Sequence, residues 1–293
     1  MADQPPYAGS VQTLTIRNVH YSFRWCPEGS FLMGCTPGEC KQYNSEPDET
    51  DFACMDIPFF PSFSRDCVAA RAPWNLYGGP GRVNRRLGAS SDECFSECGV
   101  RRERIVNGFW MLETPVTEKM WKSIMPKSWG YQEGEDLPID CVSYGDANRF
   151  CRKLNFLANF PENAIHLPTE SQWEYACRAG TRTPYSFGTR ATEEDANFCA
   201  QGRDGASPVG QTEPRRTPVR HYRANGWGIY DMHGNVSEWC QGPSFFNFVS
   251  GVRHQVLRGG NYADREGDIR SASRAFAPFQ SRDFGLGFRV VWE

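Results

Sequence analysis

Past residue 181 the chain never sustains a helical period. From there to residue 293 it consists of short β-rich runs broken by Gly, Pro, Asn and Asp, the pattern of turns and short strands. The segments with apolar residues at 3/4 spacing lie earlier, between 114 and 181. Helices followed by a turn-rich β half define an α+β protein, not a bundle or an alternating parallel sheet. The 28 Gly and 20 Pro agree with a loop-rich fold.

Within the early part, "VQTLTIRNVHYSFRWCPEGSFLMG" (11–34) reads as a strand, a turn at Pro27-Glu28-Gly29 and a short strand. "NGFWML" (107–112) reads as a further strand. "TPVTEKMWKSIM" (114–125) predicts a helix with Thr114 as N-cap and Pro115 in the first turn. "VSYGDANRFCRKLN" (142–155) predicts a second, with Ala147, Phe150, Cys151 and Leu154 on one face. A third, in "LPTESQWEYACRAGT" (167–181), starts from Thr169 and stops at Gly180, with Trp173, Ala176 and Cys177 inward. "HQVLRGG" and "GFRVVWE" read as strands.

With 293 residues, 39% of them hydrophobic, the chain can bury a sizeable core. Charged residues make up 23% and the net charge is -3. No basic excess points to nucleic acid, and the apolar runs are too short to span a membrane.

Twelve cysteines are present, and residues 35–105 are rich in Cys, Pro, Asp, Ser and Arg with little periodicity. That stretch reads as an insertion held by disulfides. The isolated C-x4-C (35–40) and C-x3-C (94–98) spacings leave zinc open. Cys151 and Cys177, on predicted helices, can equally be small buried hydrophobes. "MADQPPYAGS" has neither charged n-region nor apolar core. The expectation is an exported, monomeric chain at the cell surface or in the periplasm, its signal removed and a lipid anchor on the native precursor.

Six motifs in order are more specific: "FLMG" (31–34), "TPVTEKMW" (114–121), "LPTESQWEYACRAGT" (167–181), "NGWGIYDMHGNVSEWC" (225–240), "LRGGNY" (257–262) and "GFRVV" (287–291). Together they resemble the formylglycine-generating-enzyme, or sulfatase-modifying-factor, family. The resemblance implies a C-type-lectin-like fold over one domain, residues 1–293, interrupted by the insertion.

It also implies calcium. Position by position, the ligands are the Asp231 side chain, the Gly234 and Val236 carbonyls and the Glu238 side chain. Two carboxylates and two carbonyls in one tight loop suit a cation that takes six to eight oxygens. The alternative is an ordinary turn in which Glu238 pairs with an arginine. A second family site would begin at Asn197, but its downstream Asp position holds Gln211. The sequon Asn235-Val236-Ser237 falls inside the calcium loop and is discounted as a glycan site.

The family's enzymes bind copper(I) through two cysteines after the "RGG" motif. Here those positions are Asp264 and Ile269. A carboxylate and a sec-butyl group make no bis-thiolate site for a soft ion. The five histidines, His20, His166, His221, His233 and His254, form neither H-x-x-E-H nor H-x3-H. Neither copper nor iron is expected, and no catalytic residue is assigned.

A branch of this fold serves as the variable protein of diversity-generating retroelements, among them spirochaete surface lipoproteins. There the variable segment runs from about "RGG" to "GFR". Residues 258–289 have that frame: Arg258, Gly259, Gly260, Arg270, Arg274, Arg282, Gly287, Phe288 and Arg289. The resemblance then implies a ligand-binding surface made of Tyr262, Asp264, Arg265, Asp268, Ala275, Phe276, Ala277, Phe279, Ser281, Asp283, Phe284 and Gly285. Adenine-rich template codons reach every residue type in 275–286 except Gln280. Rigid aromatics among small neighbours suit a contact surface, and an exposed apolar patch commonly marks a partner site. The partner is an unidentified protein or surface ligand. Two further readings stay open: a metal-dependent oxidase or hydroxylase with relocated ligands, and an accessory paralogue with one fixed partner.

Overall fold

The computed structural model describes residues 6–36, 39, 100–126, 134–200, 215–247 and 251–293. Residues 40–99, most of the expected insertion, lie outside it.

Strands β1 (Val11–Ile16) and β2 (Val19–Cys26) form an antiparallel hairpin. The expected single strand over this stretch is in fact two. Arg17 (φ 49°) and Asn18 (φ 64°) are both left-handed, which is the two-residue turn that matches strand twist. Strand β3 (Gly29–Met33) pairs with β4 (Arg101–Ile105). The domain therefore resumes by residue 101, before the expected end of the insertion at 105.

β5 (Phe109–Leu112), β6 (Ile165–His166) and β11 (Val291–Trp292) complete a five-stranded antiparallel sheet in the order β1-β2-β5-β11-β6. A second sheet runs β10-β7-β8-β9, from β7 (Ser237–Asn247), β8 (Val252–Arg258), β9 (Arg274–Pro278) and β10 (Leu286–Gly287).

Among the described residues, three α-helices lie between β5 and β7 in sequence. α1 spans Glu118–Ile124, with Thr117, not Thr114, as N-cap. Thr114 Oγ1 bonds to the Pro115 carbonyl instead, so the chain enters the helix one turn late. α2 (Tyr144–Ala158) begins with a capping box of Ser143 and Asp146. α3 (Glu170–Arg178) begins with one of Thr169 and Gln172, and ends at left-handed Ala179. Among the described residues no helix is long and apolar enough to cross a membrane.

The five-stranded sheet is apolar on both faces. Tyr21, Phe23 and Leu112 pack with Trp121 of α1 and Phe150 and Leu154 of α2. Phe109, Met111 and Val291 pack with Trp173, Ala176 and Cys177 of α3. Phe288 closes the first core, 5.3 Å edge-on to Phe150. Cys26, Cys141, Cys151, Cys177, Cys199 and Cys240 are free thiols. Burial raises Cys151 and Cys177 to about 12, so the reading of these two as small hydrophobes stands. Cys40, Cys54, Cys67, Cys94 and Cys98 of the expected disulfide-held insertion lie outside the described residues.

Candidate functional site: a strand-and-loop segment held by arginines

The segment 258–289 carries β9, a 3-10 turn at Glu266–Ile269 and β10. Its frame arginines reach carboxylates on the scaffold. Arg258, fully buried, pairs through Nη2 with Glu174 of α3 and lies 5.4 Å from the Trp173 ring centroid. Its Nη1 also donates to the carbonyls of Ala272 and Ser273, both at 2.8 Å. Arg274 pairs with both oxygens of Glu170, Nη2 to Oε2 at 2.9 Å. Arg282 holds Asp146 at 2.7 and 3.2 Å. Arg289 holds Glu238 at 2.7 and 2.8 Å. Forked guanidinium–carboxylate pairs fix orientation as well as distance.

On α3 the pairs join into a chain. Arg178 Nε lies 2.8 Å from Glu174, Glu174 meets Arg258, Arg258 lies 3.6 Å from Glu170, and Glu170 meets Arg274. None of the five side chains is more than 12% exposed. Alternation of sign lets the buried charges neutralise one another; removing one member would leave another uncompensated.

Between the clamps, the expected display residues divide. Phe284 is 54% exposed, and Arg265 and Ala275 are exposed as well. Tyr262, Asp264, Asp268, Phe276, Phe279, Ser281 and Asp283 are half-buried, and burial raises the Asp283 carboxyl above its ordinary range. Two members are corrected. Ala277 is 1% exposed and packs in the first core, because its side chain points inward from β9. Gly285 is buried at φ 77°, where a Cβ would sit 3.0 Å from Asn261; the backbone passes too close to Asn261 there to present a side chain.

Loop 279–285 wraps the start of α2. The Tyr144 amide donates to the Phe279 carbonyl at 3.2 Å, and the Gly285 amide to Asp140 Oδ2 at 3.1 Å. At the other end, the Asn261 amide donates to Asp264 Oδ2 at 2.8 Å. Asp264 thus closes its own turn. Ile269 is fully buried against Tyr185, Ala196 and Phe198, and its carbonyl is 2.7 Å from His233 Nδ1. The two positions that the resemblance matches to copper-binding thiolates thus hold a turn-closing carboxylate and a packed side chain.

Burial lowers His233 from 6.5 to about 4. Its Nε2 accepts from the Ser186 amide at 3.1 Å, so the imidazole is a neutral brace. Among the described residues, no three His, Cys, Asp or Glu side chains are grouped to hold a metal ion.

The loop expected to bind calcium is ordered by Asn235. Its side-chain oxygen accepts from the Thr217 amide at 3.1 Å, and its amide donates to the Thr217 carbonyl at 3.1 Å. It is 1% exposed, which agrees with discounting the sequon. Asp231 Oδ2 accepts from the Arg220 amide at 2.9 Å, while Oδ1 is buried without a hydrogen-bond partner among the described residues. Burial, opposed by that bond and by Arg289, raises Asp231 to about 6. Glu238 is committed to Arg289, as the turn alternative expected, and Trp173 Nε1 adds a bond to Oε2 at 2.8 Å. Oε2 then has two donors and Oε1 one, which leaves Oε1 a lone pair. Of the four expected ligands, Asp231 Oδ1 is thus the buried oxygen left open, whereas Glu238 is held by Arg289 and Trp173 and the Gly234 carbonyl accepts from the Val236 amide at 2.9 Å. Gln211, at the other family site, lies outside the described residues.

Residues 75–293 match the model of the sulfatase-modifying factor enzyme 1-like domain. The chain belongs to this family. It is 29% identical over 193 residues to a mouse protein named inactive C-alpha-formylglycine-generating enzyme 2, covering 60% of this chain and 56% of that one. The chain thus spans little more than half the length of that relative. Among solved structures, PvdO from Pseudomonas aeruginosa superposes with TM-score 0.66 at 19% identity, covering 99% of this chain and 100% of PvdO. Treponema denticola variable protein 1 superposes with TM-score 0.60 at 18% identity, covering 96% and 98%. The fold is that of the formylglycine-generating-enzyme group, with mixed α and β content and C-type-lectin-like neighbours.

Sequence reading missed the acceptors of the clamp: Glu170, Glu174 and Asp146. A signal existed. Glu170 and Glu174 are four apart and continue the α3 face of Trp173 and Cys177. Two like charges on a buried helix face require cations opposite them.

Proposed function

We propose that this chain is a non-catalytic ligand-binding protein that displays a diversifiable surface on segment 258–289. The observation that carries it is the division of labour within the segment. Arg258, Arg274, Arg282 and Arg289 are each locked to a scaffold carboxylate. Between them Phe284, Ala275 and Arg265 are exposed, and Phe276 lies with its ring 5.5 Å from the Arg274 guanidinium without supplying that arginine's carboxylate partner. Side chains there can change without removing a clamp. A retroelement that rewrites the 3′ end of the gene would exploit this, and the likeness to a Treponema variable protein fits it at the level of fold.

Asp264 and Ile269 in place of thiolates argue against formylglycine generation. Exposed aromatics on a rigid frame supply contact area at low entropic cost. The partner class is a protein or surface ligand, met outside the cytoplasm. Calcium bound at Asp231 and Glu238 would brace the loop that carries Arg289's partner.

A library tests this. Positions 262, 264, 265, 268, 275, 276, 279, 281, 283 and 284 are randomised together on the otherwise unchanged chain. Most members should fold, and binders to unrelated targets should be recoverable. A library that mostly unfolds would contradict the reading. The family's relative named inactive favours a second reading, an accessory protein with one fixed partner. In that case the library folds, but natural copies of the gene do not vary.

A further inference from the structure

The outer edge of the five-stranded sheet has an unusual character. β1 is six residues long, "VQTLTI", with no charge and no proline. Among the described residues it pairs on one side only, with β2. In a hairpin closed by two residues, Ile16 and Val19 flank the turn as a hydrogen-bonded pair, and such pairs alternate along the ladder. The Trp25 amide donating to Ser10 at 2.9 Å confirms that phase. Residues 12, 14 and 16 are thus bonded to β2, and the N–H and C=O groups of Val11, Thr13 and Thr15 point away from the sheet. All three residues are exposed.

Most other edges among the described residues carry protection, and β3, uncharged as well, lies against α3 with the Phe31 ring 5.2 Å from that of Tyr175. β9 holds Pro278, β4 holds exposed Arg101, Arg102 and Arg104, and β6 and β10 are two residues long. Prolines, charges and short length are the usual ways to block edge-to-edge pairing. β1 has none of them.

We propose that β1 pairs antiparallel with β1 of a second copy, about a two-fold axis at Thr13. In that register Thr13 faces Thr13, and Val11 faces Thr15, in both directions. About six hydrogen bonds form, two per bonded pair. The opposed side chains are β-branched and uncharged, a combination that favours cross-strand contact and sets no like charges together. Arg17, next along the chain, is turned onto the Ser123 carbonyl at 3.0 Å. Half-buried Leu14 would face Gln12 of the partner on the side covered by α2, extending the apolar margin of the core across the axis. A strand this short buries less than a standard interface, so the dimer is weak and concentration-dependent. This departs from the expected monomer and is independent of the display surface.

Sedimentation and amide hydrogen exchange on the full chain test it, with Thr13→Lys as the variant. That change puts two ammonium groups face to face and leaves the β1–β2 ladder intact. The expected result is dimerisation at high concentration, with exchange at Val11, Thr13 and Thr15 slowing as dimer forms. Thr13→Lys should remain monomeric with an unchanged thermal midpoint. A monomer at every attainable concentration, or a dimer that survives Thr13→Lys, overturns the proposal. So does slow exchange of those amides in a monomer, which would place some other strand on the edge.

Discussion

Arg258 and Glu174 face one another with essentially no solvent exposure, one at the end of β8 and the other on α3. Through this pair the helix fixes where the display segment leaves the sheet. Glu174→Ala strands the Arg258 guanidinium in the interior. A broken buried pair costs about 3–5 kcal/mol, so the variant should lose about that much in urea unfolding. Arg282→Ala is the control: its side chain is 40% exposed, and screened pairs are worth about 1 kcal/mol or less.

Two phenylalanines of the same segment should respond oppositely. Phe288 is fully buried and Phe284 is 54% exposed. Phe288→Ala should destabilise by about 3–5 kcal/mol. Phe284→Ala should alter stability by less than about 0.5 kcal/mol, and should weaken binding to any ligand selected on the display surface. Thermal melts with a binding titration separate the two effects.

His233 makes the fold acid-sensitive. Its folded pKa is about 4 against 6.5 for the free side chain. Between those values the unfolded chain takes up a proton that the folded chain refuses. Its contribution is therefore intact above pH 6.5 and lost as pH falls towards 4, by roughly 3 kcal/mol in all. His233→Gln should be less stable than wild type at pH 7, because it lacks the ring's bracing contacts. Its midpoint should fall less steeply over that pH range.

Calcium should raise the thermal midpoint in a saturable way, since a ligand that binds only the native state stabilises it. Asp231→Asn removes the charge on the partnerless oxygen and should abolish the shift. An isothermal titration that finds no calcium uptake by the wild type would remove calcium from the account.

Much of the fold was legible because local signals agreed. The 3/4 spacing of Phe150, Cys151 and Leu154 gave α2, and Thr169 with Gln172 gave the start of α3. The hairpin at Arg17-Asn18 was hidden because its strands run on without Gly or Pro, and only Asn18 hints at a left-handed turn. The start of α1 slipped by a turn because both Thr114 and Thr117 can cap. In the candidate site the arginines stood out as a frame, but their acceptors lie more than a hundred residues away for Arg274 and Arg282. No local pattern encodes such pairs. Ala277 was misplaced for a related reason. Which side of β9 faces the core depends on its register with β8, and register is a property of two strands.

The central claim is that residues between the clamps vary while the clamps do not. Sequencing the 3′ end of the gene through a growing population tests it most directly. The account predicts substitutions concentrated in codons 261–286, at exposed and half-buried positions such as Phe276, Phe279, Ser281 and Phe284. They should match adenines of a nearby template copy and spare Arg258, Arg274, Arg282 and Arg289. A uniform sequence with no template copy would contradict it.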